Sequence, residues 1–343
     1  MLRSLRSLPV LLSILALGAG LTACGSGEDE PTAGPDGITL YNAQHEDLMK
    51  ELTDEFTKET GIEVALRNGS DLELANQIVQ EGGKSPADVF VTENSPAMSL
   101  VDGRGLFTPV AAPAVSQVPA RYRPDDNSWV GFAARQTVFV YNPAKLAGEA
   151  LPASIMELAE PKWKGRFGYS PTGADFQAVV SAVLALKGPE RTKTWLAGLK
   201  ANAVAYKGNI KVMSAVNKGE IEGGIIYHYY WYQDRAEAGE DSKNTKLHVF
   251  APKDPGAFTS VSGAGILNST DNPAGAQKLI AFLTGKTGQG VLARSSALEY
   301  PIASGVAANR ALRPLADIEA PVVNPDELNS REVVTMMQDV GIL

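Results

Sequence analysis

Between residues 38 and 92 the apolar pattern switches repeatedly between the period of a strand and that of a helix. This constrains the fold more than any other feature of the chain. Ile38–Tyr41 reads as a short strand. Leu48, Met49, Leu52 and Phe56 then mark one face of a helix over 46–60, and Gly61 is placed to stop it. The spacing predicts a strand over 62–66, a helix over 72–80 and a strand over 87–92. Strands alternating with helices predict an α/β fold with a largely parallel sheet and helices on both faces. Further along, VGFAA and TVFVY within 129–141 read as two strand-like runs, and strands are predicted at 223–227, 246–250 and 258–267. Helical patterns lie over 176–186, 192–199, 212–218, 274–283, 288–295 and 326–340. At 343 residues the chain is long for a single core. No internal repeat or linker divides it after residue 37, so two α/β lobes are expected, with the chain crossing between them more than once.

The N-terminus carries a different signal. Arg3 and Arg6 precede the apolar run Leu8–Gly20, which is too short to span a bilayer comfortably. Leu21-Thr22-Ala23-Cys24 resembles the bacterial lipobox, which implies cleavage before Cys24, the only cysteine, and lipidation of its thiol. Removal of Arg3 and Arg6 would take the formal charge from −8 to −10. Residues 25–37, rich in Gly, Pro and acidic side chains, read as a solvated tether. The expectation is an extracytoplasmic protein whose only membrane contact is its lipid.

Composition excludes several classes. The acidic balance leaves no electrostatic footprint for nucleic acid. One cysteine and three histidines leave no disulfide framework, thiolate zinc site or histidine-rich cluster. His45-Glu46 opens like a zinc-protease helix, but Met49 stands where the second histidine belongs. Gly285-Lys286-Thr287 lacks the earlier glycine of a phosphate loop, since Ile280 occupies that position. Gly263-Ala264-Gly265 lacks the third glycine of a dinucleotide fingerprint, and no nucleophile elbow is present. An enzyme is not expected.

Three predicted strands end in unusual polar residues: Tyr41-Asn42-Ala43-Gln44-His45, Val91-Thr92-Glu93-Asn94-Ser95 and Tyr227-His228-Tyr229-Tyr230-Trp231. Ligands of open α/β sheets bind beyond the carboxyl ends of strands, so these segments are placed to converge. Tyr229 and Tyr230 reach one site only if the strand ends there and the backbone turns, a turn that a helix beginning near Trp231 would provide. Two phenols, a carboxylate and an imidazole suit a hard cation, and phenolate suits Fe(III) best. Two phenolates and Glu93 would balance its charge, with the metal displacing the phenol protons. Each piece also has an ordinary use: core packing for the aromatic run, a structural role for His45, and a cap or loop for Glu93.

The residues have a family likeness. YNAQHEDLMKELTDEFTKETGIEV, SPADVFVTEN, PKWKGRFGYSPTGADF, GEIEGGIIYHYYWYQD and DPGAFTSVSGAGIL follow one another in the order and spacing of the ferric-ion-binding proteins of bacterial ABC iron importers. The chain resembles these periplasmic solute-binding proteins over about residues 38–343. The resemblance implies a type II-like two-lobed fold with a cleft between lobes joined by crossing hinge strands. The division expected is 1–23 signal peptide, 24–37 lipidated cysteine and tether, 38–135 with 260–312 as one lobe, and 136–259 with 313–343 as the other. It implies His45, Glu93, Tyr229 and Tyr230 as ferric ligands, completed by an anion such as phosphate or carbonate. The family's Thr-Ser-Gly anion loop reads Thr172-Gly173-Ala174 here, Asn209 matches, and Tyr227 stands where a second asparagine is expected. Arg135 would neutralise the anion, and His228, Asp175 or Tyr227 would be further ligands. The implied partners are an ABC permease and ferric iron or a ferric chelate, with the protein a monomer. Two other functions fit the same cleft. The tyrosines would box an organic cation, or the cleft would hold a small anion. A metal-dependent hydrolase would need Glu46 or Asp175 as its general base.

Overall fold

The computed structural model describes residues 32–343 except Ala147 and Asn329. The expected signal segment and Cys24 lie outside these residues. Strands β1 (Ile38–Asn42), β2 (Val64–Asn68), β3 (Val89–Val91), β4 (Phe107–Thr108), β5 (Trp129–Tyr141), β6 (Phe167–Tyr169), β7 (Val204–Ala205), β8 (Gly223–Tyr227), β9 (Lys246–His248), β10 (Thr259–Leu267) and β11 (Tyr300–Pro301) join in the order β2-β1-β3-β10-β5-β8-β6-β7. β4 lies on β10, while β9 and β11 lie on β5.

The sheet is mixed, not largely parallel. β1 runs parallel to β2 and β3, and β6 runs parallel to β7 and β8. The middle is antiparallel: β10 opposes β3 and β5, and β5 opposes β8. The runs at 129–141 form one 13-residue strand, not two. Residues 129–136 of this strand pair with β10, and Thr137–Tyr141 pair with β8. β5 therefore changes partners between Gln136 and Thr137 and passes from one half of the structure into the other.

Each half has its own core. Helix Glu46–Thr60 buries Leu48, Met49, Leu52 and Phe56 on one face, as the spacing predicts. Burial of each such side chain stabilises by roughly 1.5–3 kcal/mol. Gly61 ends the helix in the left-handed conformation (φ 75°) that glycine adopts without steric cost. Leu40, Phe132, Ile266, Leu279 and Leu283 complete this core. The second core gathers Phe139, Trp163, Phe167, Phe176, Trp195, Tyr227 and Tyr229. Near the C-terminus, Leu312 and Ile318 pack into the first core, while Val333, Met336 and Met337 pack into the second. The fold is two-lobed α/β with crossing strands between the lobes. Among the described residues, no helix is long and apolar enough to cross a membrane.

β8 carries the tyrosine segment, and it packs closely beneath helix Asn209–Lys218. A Cβ on Gly224 would meet Val212 Cγ1 at 2.3 Å and the Gly168 carbonyl oxygen at 3.1 Å. Gly224→Ala should destabilise the protein by about 1–3 kcal/mol through overpacking, read as a lowered urea midpoint with an unchanged slope.

Candidate metal centre

Three turns present the polar side chains. After β1, the Asn42 side chain bonds the Gln44 backbone at both ends: Nδ2 donates to the carbonyl and Oδ1 accepts from the N–H, each at 3.0 Å. This local turn leaves His45 as the cap of helix Glu46–Thr60, with a third of its side chain (33%) exposed. After β3, the backbone N–H groups of Glu93 and Asn94 donate to the two oxygens of Asp71, at 2.8 and 2.9 Å. After β8 the helix begins at His228, with Tyr227 as its cap, one turn earlier than the sequence pattern indicates. Tyr229 and Tyr230 therefore sit in its first turn, their ring centroids 4.2 Å apart and tilted by 32°.

These turns bring the expected ligands together. Tyr229 donates its phenolic hydrogen to Glu93 Oε1 at 2.9 Å, across 136 residues of sequence. His45 Nε2 lies 3.9 Å from the same oxygen, and its ring meets the Tyr229 ring edge-on at 5.2 Å. Donors bound octahedrally to one cation at about 2.0–2.1 Å stand about 2.9 Å apart when adjacent and about 4.1 Å apart when opposite. The spacings around Glu93 fall in that range. His45 Nε2 faces two carboxylate oxygens, Glu93 Oε1 at 3.9 Å and Glu299 Oε1 at 3.3 Å, so a cation there would replace a proton on the ring. Among the described residues no group of three His, Cys, Asp or Glu side chains is arranged around a metal position.

Asp175 joins from the opposite side. Its Oδ2 accepts from Tyr230 at 3.2 Å and from Asn209 Nδ2 at 2.7 Å, and its Oδ1 accepts from Asn94 Nδ2 at 3.3 Å. Burial, followed by the Glu93 charge, pushes the Asp175 carboxyl well above the usual range. Burial, then the Asp175 and Glu93 charges, also raise the Tyr229 and Tyr230 phenols. The pocket crowds acidic groups that cannot all ionise unless a cation arrives.

Other expected residues are placed differently. His228 turns into the core: its Nδ1 accepts the Gln136 N–H at 3.1 Å and its ring stacks on Tyr300 at 4.7 Å. It does not face the cleft as a ligand. Tyr227 is buried, its hydroxyl bonded to Asn94 Oδ1 and the Asp175 carbonyl, each at 3.3 Å. Arg135, expected to neutralise an anion, is fully buried and paired instead with Glu299, Nη2 to Oε2 at 2.6 Å. Thr172 is exposed, and Gly173 caps helix Ala174–Lys187, so Ala174 opens that helix. Glu46 is exposed on the first turn of its helix. Three further residues belong to the assembly, Asn94 from the second polar strand end and two that the sequence pattern does not single out, Asp71 and Glu299. Asp71 holds the Glu93 turn, Asn94 links Ser260 and Tyr227 to Asp175, and Glu299 sits 3.3 Å from His45 Nε2.

The histidines should titrate in opposite directions. Burial lowers the His228 imidazole to about 3, so native His228 stays neutral while the unfolded chain takes up a proton. Its contribution to stability is therefore lost as pH falls below the ordinary value of 6.5. Burial also pulls His45 down, but its interaction with Glu299 and the Glu93 charge outweigh this, and its net shift is upward. His45 accordingly stabilises the fold below 6.5 and loses that contribution as pH rises through its folded value. An NMR titration should show the His45 ring protonating above 6.5 and the His228 ring still neutral at pH 5.

Comparison with known proteins gives the family of the chain. Residues 84–331 match the family described as bacterial extracellular solute-binding protein. The Fe(3+)-binding periplasmic protein of Serratia marcescens is 52% identical over 340 residues, covering 99% of this chain and 98% of that one. The major ferric iron-binding protein of Neisseria meningitidis serogroup B is 37% identical, covering 89% of this chain and 93% of that one. Among solved structures, iron-bound HitA from Pseudomonas aeruginosa superimposes with a TM-score of 0.83 at 39% identity, covering 89% of this chain and 99% of that one. These relatives are named as binding proteins and not as enzymes. The chain is a member of the bacterial extracellular solute-binding protein family, with the two-lobed fold of its ferric-binding relatives.

Proposed function

We propose that this protein captures ferric iron between its lobes, with His45, Glu93, Tyr229 and Tyr230 as the ligands, and delivers it to an ABC permease. The observation that carries this reading is the Tyr229–Glu93 hydrogen bond of 2.9 Å, which sets a phenol and a carboxylate from different lobes at the spacing of two donors to one cation. The names of the relatives support iron as the cargo. Fe(III) would displace the two phenolic protons and relieve the crowding of acidic groups. Because the ligands come from both lobes, the ion would stabilise the closed arrangement over an open one, as ligand-driven closure requires. The permease would then read the closed shape. Lipidation at Cys24 would hold the protein at an extracytoplasmic membrane face, with residues 25–37 as the tether.

An anion such as phosphate or carbonate would complete the coordination shell. The backbone N–H groups that follow Gly173 are the donors on offer, because Arg135 is engaged by Glu299 and the Asn209 amide by Asp175. An aromatic box fits less well. Tyr229 and Tyr230 lie 4.2 Å from one another, leaving no gap between their faces for an organic cation. A hydrolase lacks a placed base, since Glu46 is exposed and Asp175 is already bonded to Tyr230 and Asn209.

Titration of the chain lacking residues 1–24 with ferric iron, supplied as a weak chelate, should produce a visible phenolate-to-iron band saturating at one iron per chain. Tyr229→Phe/Tyr230→Phe should lose the band and release its iron on desalting. Retention of iron by this double variant would contradict the ligand assignment.

A further inference from the structure

Arg135 and Glu299 form an ion pair of 2.6 Å in which both side chains are fully buried. The fold builds this pair deliberately. Tyr300 of β11 pairs with Ala134 of β5, so the ladder sets Glu299 beside Arg135. Leu298, immediately before it, has a φ of 52°, a left-handed conformation that side chains other than glycine adopt at a cost. Gln44 Nε2 donates to Glu299 Oε2 at 3.3 Å, and Arg135 Nη2 also donates to Ser262 Oγ at 2.9 Å. Even so, Arg135 Nε and Arg135 Nη1 are buried with no hydrogen-bond partner among the described residues. A buried ion pair is a weak device for stability, and a partly satisfied one is weaker still. The location points to another use. Glu299 Oε1 lies 3.3 Å from His45 Nε2, and the Arg135 guanidinium carbon lies 5.9 Å from the centroid of the Tyr229 ring.

We infer that Glu299 is a charge-compensating residue of the cation site: by neutralising Arg135 beneath the ligands, it favours a trivalent over a divalent ion. The inference rests on the ferric reading of the cleft. An uncompensated guanidinium at this depth repels a bound cation in proportion to the cation's charge, and does so strongly away from water. It would weaken Fe(III) more than Fe(II). Glu299 acts through Arg135 and is a positioning residue, not a proposed ligand.

The test uses the chain from Cys24 onward as wild type, as Glu299→Gln, and as Arg135→Met/Glu299→Met, with ferric iron as the probe. Citrate competition gives Fe(III) affinity, and spectroelectrochemistry at fixed pH gives the potential of the bound iron. Glu299→Gln should keep the phenolate band and lower the Fe(III)-to-Fe(II) affinity ratio at least tenfold, a positive shift of 59 mV or more for one electron. The double variant, carrying neither charge, should return to within twofold of the wild-type ratio. A purely structural ion pair would alter the melting temperature and leave the potential in place. A Glu299→Gln ratio within twofold of wild type overturns the inference, as does a double variant displaced as far as the single one. Should Glu299→Gln not fold, Arg135→Met decides: left with the Glu299 charge alone, it should raise the Fe(III)-to-Fe(II) ratio at least tenfold, and a ratio within twofold of wild type overturns the inference. Wild-type protein that takes up no ferric iron would overturn the reading of the cleft together with this inference, whereas an iron-binding wild type with an unshifted Glu299→Gln overturns only this inference.

Discussion

Acidic side chains from both lobes are held against one another in a buried pocket, and much of the structure serves to keep them there. Glu93 touches Tyr229, Asp175 touches Tyr230, and Glu299 approaches His45. In water these groups would separate or stay solvated. Here burial and mutual repulsion raise the phenols and the Asp175 carboxyl, so the pocket favours protons over empty ionised groups. We propose that it receives a hard cation that replaces those protons. Arg135 is the positive charge within this group, and Glu299 already offsets it.

The sheet explains how such distant residues meet. β1 and β3 are neighbours and deliver His45 and Glu93 from the same edge of the first lobe. β5 leaves that lobe, changes partners after Gln136, and pairs Thr137 with Tyr227 at the end of β8. The tyrosine turn is therefore hydrogen-bonded to the strand that crosses between the lobes. Rotation about this crossing would move Tyr229 and Tyr230 against Glu93 with few other changes in the ladder, which suits a binding protein that closes on its cargo.

Much of this is legible in the sequence because it is local. The helical stripe at Leu48, Leu52 and Phe56, the stop at Gly61, and polar residues ending apolar strands all lie within short windows. His45, Glu93, Tyr229 and Tyr230 stand out for that reason. Strand direction is not local: nothing in the alternation of 129–141 or 259–267 says that β5 and β10 run antiparallel through the hinge. The helix after β8 starts early because its cap is Tyr227, which lacks the short polar side chain that marks helix starts. Asp71 and Glu299 act across gaps of 22 and 164 residues, on Glu93 and Arg135 respectively, and neither sits in a conspicuous motif. His228 shows the reverse: it lies within a conspicuous cluster, yet the strand-to-helix turn points it into the core.

The most direct measurement of the central claim is anomalous diffraction at the iron edge from crystals of the ferric-loaded protein. The account predicts one strong peak per chain within bonding distance of Glu93 Oε1, the Tyr229 and Tyr230 hydroxyl oxygens and His45 Nε2. A peak elsewhere on the chain, or one touching none of the phenols, would contradict it.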